Sequence, residues 1–354
     1  MEPASLIPLA DAMPGPAWWF EILLLLTFVL HLLLMNTVLG GTVIVAVHAL
    51  RKPASEQGPV RDFATRLPTA LALAINLGVP PLLFVQVLYG NFFYTSSVIM
   101  ALWWLGIVGL VMLAYYGLYI FAINHDELGT RRIAVIVLAL LLLVATSFVF
   151  SNNMTLMLQP ERWLAWFERR DGALLNLGDP TLIPRWLHML VGSIAIGGLA
   201  LSLFHVRRAS WGAPDAAEGI ETGLRWFSHA TYAQIALGIW FLMALPRDLM
   251  LRFMGGDTLA TAAFILGLIG TALALLAARA RSVALAVGAA VGTVTVMAVM
   301  RASLREGYLA PWAQPQPVNF VETSPLVLFL ASAVCGVAAI IWMLRLMRSS
   351  RKGA

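Results

Sequence analysis

Long apolar runs alternate with short polar breaks along the whole chain. A helix that crosses a bilayer needs about 20 mainly apolar residues. Nine segments meet that need, at roughly 18–48, 67–90, 97–123, 132–152, 184–206, 225–246, 258–279, 282–301 and 323–346. The breaks between them are short except at 153–183 and 207–224, and the second of these reads as a polar loop carrying Asp215, Glu218 and Glu221. The pattern predicts an all-α, polytopic membrane helix bundle, with residues 1–354 forming one transmembrane domain. It contains no soluble domain, no low-complexity tract and no clear internal repeat. The first apolar stretch has no basic region before it, so it reads as a retained helix and not as a cleaved signal.

Composition narrows the class. Of the 354 residues 60% are hydrophobic and 12% charged, and the mean hydropathy is +0.84. Soluble domains carry about twice that share of charge, so a soluble enzyme, a nucleic-acid-binding domain and a disordered chain are excluded. The net charge of +5 comes from basic residues spread between apolar runs, not from a patch that would bind nucleic acid. Their placement predicts orientation. With the N-terminus outside, fifteen Lys and Arg fall on inner segments (Arg51, Lys52, Arg131, Arg132, Arg207 and Arg208 among them) and eight on outer ones. Trp18, Trp19, Trp163, Trp186 and Trp312 fall near the expected membrane–water boundaries, where indole is favoured. The expectation is N-out and C-in. The single cysteine, Cys335, excludes a disulfide, a Cys-rich metal cage and a Cys-x-x-Cys-His attachment site for c-type haem.

The polar residues inside the spans carry the chemistry. Ionisable groups there are costly and usually functional. Glu21 is the one acid within a predicted span, and no Lys lies in any. Transporters that move ions or protons need such groups along a path, so a permease is disfavoured. Histidine remains. His31 is deep in span one and His188 about one turn into span five; His48, His205 and His229 lie at the inner ends of spans one, five and six. His125, beside Asp126 and Glu127, reads as a water-facing or capping residue.

His31 and His48 are 17 residues apart, and so are His188 and His205. That is about 25 Å along a helix. Two such helices suit two haems, one per leaflet, because haem iron accepts imidazole and a bundle core holds cofactors. A separation of 17 residues turns the two rings of each helix about 100° apart. For His48, His205 and His229 the competing reading is capping of helix C-terminal carbonyls. Gly40, Gly41, Gly192, Gly197 and Gly198 give either a flat space for a cofactor or close helix contact, and Gly288-x-x-x-Gly292 reads as tight packing.

Several short motifs then resemble subunit I of the cytochrome bd quinol oxidases. They are Phe28-Val-Leu-His31 in span one, Ala74-Ile-Asn76-Leu-Gly78-Val and Tyr89-Gly90-Asn91 around span two, Met157-Leu-Gln159-Pro160 after span four, and Arg185-Trp-Leu-His188 opening span five. Their order and the nine-span topology match that family. The resemblance implies that His31 corresponds to the ligand of an active-site haem and His188 to a ligand of the low-spin haem that receives electrons from quinol. The departures are equally specific. The family's third-span glutamates are absent from 97–123, its methionine ligand from 258–279 and its glutamate ligand from 282–301, and its long quinol loop shrinks here to about 247–257.

The combined expectation is a b-type cytochrome subunit of a respiratory complex in the bacterial cytoplasmic membrane. It would carry one to three haems b, two favoured, and exchange electrons between the quinone pool and an outer c-type cytochrome, multihaem or not, without reducing oxygen. Two ligand schemes stand: His31 with His188 on one haem and His48 with His205 or His229 on another, or separate outer haems with one His each. Glu21 is the candidate acceptor of a quinol proton, or a solvated carboxylate at a helix start. Arg301 and Arg305 are candidates to pair with haem propionates or quinone oxygens, or are anchors at the lipid boundary. The alternative function is a haem-free anchor or quinone-binding subunit of the same fold.

Overall fold

Backbone groups in lipid must satisfy one another, which leaves uniformly apolar segments of this length only the helix or the closed barrel. In the computed structural model the chain takes the helix. Residues 2–13, 15–51, 58–168, 170–312 and 323–350 are described, and all regular structure among them is helical. The order is α1 (Ala17–Arg51), α2 (Pro59–Ala64), α3 (Leu67–Ile99), α4 (Ala101–Ile123), α5 (Arg131–Met157), α6 (Leu182–Ala209), α7 (Ala216–Ala244), α8 (Arg247–Leu251), α9 (Thr258–Arg279), α10 (Val283–Leu309) and α11 (Thr323–Ser350). Each of the nine expected segments coincides with a helix. Seven stretches are long and apolar enough to cross a membrane: α1, α2 with α3, α4, α5, α6, α9 and α10. In α7, Ser228, His229 and Gln234 dilute the apolar run, and the described apolar part of α11 is the shorter Val327–Met343.

Several boundaries differ from expectation. The supposed polar loop 207–224 is largely helical, because α6 continues to Ala209 and α7 begins at Ala216. Likewise α3 runs on to Ile99, with a kink at Tyr89, and α10 runs to Leu309. Arg301 and Arg305 therefore lie inside a helix and not on a loop. Hydropathy reports solubility in lipid, and a helix that carries polar residues at its end keeps its hydrogen bonds.

α1 packs against α3, α5, α6 and α10, and the hairpins α4–α5, α6–α7 and α9–α10 surround it. The α1–α6 crossing is made by absent side chains: a Cβ on Gly40 would overlap the Ser193 carbonyl, and one on Gly197 would lie 2.6 Å from the Gly41 nitrogen. The α6–α7 contact repeats this with Gly198, Gly219 and Gly223, and Ser202 Oγ donates to the Ile220 carbonyl at 2.8 Å. So Gly40, Gly41, Gly197 and Gly198 serve close helix contact and leave no flat space. Gly288 and Gly292 have nothing within 4 Å of an added Cβ, so the Gly-x-x-x-Gly pair is not the tight contact expected of it. Large apolar side chains such as Leu105 (71% exposed) and Met243 (73%) point outward, the arrangement of a surface solvated by lipid.

One end of the bundle is tied by charge. Arg61 pairs with Asp126 at 2.6 Å, and Arg208 bridges Asp62 and Asp215. His125 is buried there, edge-on to Phe121 with ring centroids 5.2 Å apart, so it is not the water-facing residue expected. Burial pushes its pKa below the ordinary histidine value, and the Asp126 carboxylate offsets part of that shift. A depressed pKa means that the folded state holds fewer protons than the unfolded one as pH falls through about 6.5. The stability that His125 contributes is present above that pH and is lost below it. We expect the thermal midpoint of the wild type to drop more between pH 7.5 and 5.5 than that of His125→Asn. Equal drops would contradict the assignment.

Candidate functional site

His31 sits in the middle of α1 and turns its ring toward α3. Its Nδ1–H donates to the Ala74 carbonyl at 2.9 Å. A carbonyl only accepts, so the proton is on Nδ1 and the lone pair on Nε2, the tautomer in which an imidazole binds a metal through Nε2. Opposite the ring is Gly78, where an added Cβ would lie 2.9 Å from Cε1. The local sequence explains the close approach. Pro80 and Pro81 stand inside α3 and donate no backbone hydrogen bonds to the turn holding Asn76. Asn76 sends its own side-chain amide back to the Ala72 carbonyl at 2.8 Å.

His188 sits on α6 and turns toward α7. Gly238 faces its ring, with an added Cβ 3.2 Å from Cε1, and Phe241 lies 6.4 Å away between centroids. Its Nδ1 is buried without a hydrogen-bond partner, as is Gln234 Oε1 next to it on α7. Gly192, read as a space for a cofactor, meets the Gln234 amide, so that space is filled.

The two rings share a design: a helix-borne imidazole against a glycine of the neighbouring helix. The glycines are Gly78 and Gly238, not the group expected. The helix neighbours differ, so the two rings face different helices: His31 turns to α3 and His188 to α7.

The histidines at the other end are dispersed. His205 is fully buried; its Nε2–H donates to the Pro59 carbonyl at 2.9 Å, and Gly219 of α7 lies flat against the ring. No plane of a macrocycle fits between. His229 is exposed, and its Nδ1–H bonds the Arg225 carbonyl of its own helix at 2.7 Å. His48 packs beside Gly58, 3.3 Å from an added Cβ. The expected inner haem site on His48 with His205 or His229 is thus not assembled, because His205 is enclosed by α2 and α7 and His229 faces outward.

Arg301 and Arg305 project from α10 into the His31 end of the bundle. The Arg301 guanidinium lies 4.4 Å from the Phe28 ring, one turn before His31, and Nη2 is 2.6 Å from Met154 Sδ. Arg305 lies 4.4 Å from the Tyr89 ring. They are interior residues and not lipid-boundary anchors. Glu21 is exposed near the start of α1. Arg185, one turn before His188, stacks on Phe241 at 5.1 Å. It was legible only as a motif residue; its membership of this cluster depends on helix rotation.

Among the described residues no three His, Cys, Asp or Glu side chains converge to hold a bare metal ion. A groove of about 260 Å³ is lined by Ala72, Ile75, Asn76, Val111, Met112, Tyr115 and Tyr116. At 100° per residue Ala72 and Asn76 lie about 120–160° around α3 from Ala74 and Gly78, so the groove opens on another face of that helix than the one His31 meets. Comparison with known proteins finds no family model that matches the chain and no curated protein that matches it.

Proposed function

We propose that the chain is the haem-b-carrying membrane subunit of a respiratory oxidoreductase. It exchanges electrons between the quinone pool and an outer c-type cytochrome and does not reduce oxygen. The observation that carries this reading is the pair His31 and His188. Each imidazole is sunk in a long helix opposite a glycine, with Nε2 of His31 free to ligate and Nδ1 of His188 buried and unpaired. A porphyrin supplies four of the ligands of its iron, so one imidazole per site meets the protein's share. The donor chemistry at these two positions suits the group: each offers an imidazole nitrogen, one on α1 and one on α6. The rings face different helices, which favours separate haems with one His each over a single haem between them.

When bound, haem b supplies a one-electron couple whose potential follows the axial ligand and burial. His31 is held in its ligating tautomer by Ala74. Arg301 and Arg305 are placed to hold anionic or carbonyl oxygens near it. Glu21, exposed near the start of α1, is the proposed acceptor of a quinol proton. The long apolar helices, the basic residues Arg51, Lys52, Arg61 and Arg66 around the α1–α3 connection and Arg131 and Arg132 at the start of α5, and the motif order support a bundle like subunit I of the bd oxidases. They also support an N-out and C-in placement in a bacterial cytoplasmic membrane.

The test is anaerobic addition of water-soluble ubiquinol and menaquinol analogues to the purified chain. The reading expects one of them to reduce a b-type chromophore, with no quinol-dependent oxygen uptake when air is admitted. A chromophore that neither quinol reduces would overturn it. A purified chain with no chromophore would leave the haem-free anchor.

A further inference from the structure

Charged groups inside a bilayer are stable only when paired. Arg185, Arg301 and Arg305 break that rule. All three belong to the interior of one bundle end: Arg185 is one turn into α6, and Arg301 is eight residues, about 12 Å, before the end of α10. α6 and α10 pack against each other, with Arg185 in the first turn of α6 and Arg301 and Arg305 toward the end of α10, and like charges at that shared end repel one another.

Their partners among the described residues are poor ones. Arg301 reaches a thioether, Met154 Sδ, and a phenyl face, Phe28. Arg305 covers the ring of Tyr89, and its Nε is buried without a hydrogen bond. Arg185 stacks on Phe241 and reaches Thr181 Oγ1 at 3.4 Å, and its Nε is also buried and unpaired. Asp179, the acid that attracts Arg185, is committed to the backbone N–H and hydroxyl of Thr181 at 2.8 and 2.9 Å. No salt bridge joins any of the three arginines to a carboxylate among the described residues. By contrast, Arg61, Arg208 and Arg252, nearer the bundle ends, all have acids at hand.

We propose that Arg185, Arg301 and Arg305 form a buried oxyanion site for a ligand with at least two negatively charged oxygens, as paired carboxylates or as phosphate. The planar fork of guanidinium matches such oxygens two at a time. A dianion converts the mutual repulsion of three cations into attraction, and it gives the two unpaired Nε–H groups acceptors. Two sources present this chemistry inside a membrane: the two propionates of a haem, and the phosphates of an anionic lipid. The site stands on the arginines alone. Only its assignment to propionates rests on the function proposed above.

The experiment uses the full chain, produced under haem limitation and purified in neutral detergent, as wild type, Arg301→Gln and Arg305→Gln. Haem b and haem b dimethyl ester, whose carboxylates are masked, are titrated optically. Cardiolipin and phosphatidylcholine are compared by thermal shift. If haem propionates fill the site, the ester binds the wild type at least tenfold more weakly than haem b, and either variant abolishes the difference. If lipid phosphate fills it, cardiolipin but not phosphatidylcholine raises the wild-type midpoint, and the variants lose the effect. This second outcome supports the site even where haem does not bind at all, so failure of the haem reading is seen separately. Equal binding of haem and ester, together with equal effects of both lipids, overturns the proposal. Two variants on separate turns guard against one that fails to fold.

Discussion

Alanine at His31, or alanine at His188, leaves the purified protein short of about one haem b, and the double variant is nearly colourless. The expectation follows from geometry. Each ring is the imidazole that its glycine-lined contact presents, and neither can stand in for the other, because one faces α3 and the other α7. On the function proposed above, removing the imidazole would leave only packing and contacts to propionates to hold the macrocycle. Controls separate ligation from folding. His229→Ala keeps the full haem content, since that ring is exposed and bonded to its own helix. His205→Ala also keeps it, but costs roughly 2–4 kcal/mol of stability, because it opens a cavity and leaves the buried Pro59 carbonyl unpaired. Pyridine haemochrome content per mole of protein, read beside the thermal midpoint, checks all five variants. Unchanged haem in both His31→Ala and His188→Ala would refute the ligand assignment.

Leucine at Gly40 or Gly197 abolishes recovery of folded protein. At these positions the obstacle is backbone: the Ser193 carbonyl faces Gly40, and the Gly40–Gly41 peptide faces Gly197. Overpacking against side chains costs about 1–3 kcal/mol because they can rotate away. Here whole helices would have to separate, so the cost exceeds that range. Alanine at Gly288 or Gly292 is the counter-case. Nothing lies within 4 Å of an added Cβ, so the change is neutral or gains up to about 1 kcal/mol of helix propensity. Monodisperse yield and thermal midpoint distinguish the cases. Well-folded Gly40→Leu protein would contradict the α1–α6 crossing.

These two sets of variants show which parts of the molecule a sequence exposes. The nine apolar runs are legible because lipid solubility is a property of composition, and each run is a helix. His31 and His188 are legible because a polar ring in such a run needs a reason. What a run does not encode is rotation about its own axis and the identity of its neighbour. Gly40 and Gly197 contribute to a crossing without any repeat on one helix, whereas Gly288 and Gly292 have the repeat and no contact. Gly78 and Gly238 acquire meaning only once α3 and α7 are laid against the two imidazoles. The same holds for Arg185, Arg301 and Arg305. Arg301 and Arg305 stand out in sequence as candidates for propionate or quinone oxygens and Arg185 does not, and only the packing of α6 and α10 brings the three to one end. His125 misled for the opposite reason: acidic neighbours in sequence suggested water, while Phe121, one helical turn earlier, covers the ring.

The account depends on iron held by those imidazoles, and a dithionite-reduced-minus-oxidised spectrum of the purified full chain tests it most directly. Sharp b-type α and Soret bands, at one to three haems per chain, are the predicted result. A flat difference spectrum from folded protein made in haem-replete cells would contradict it.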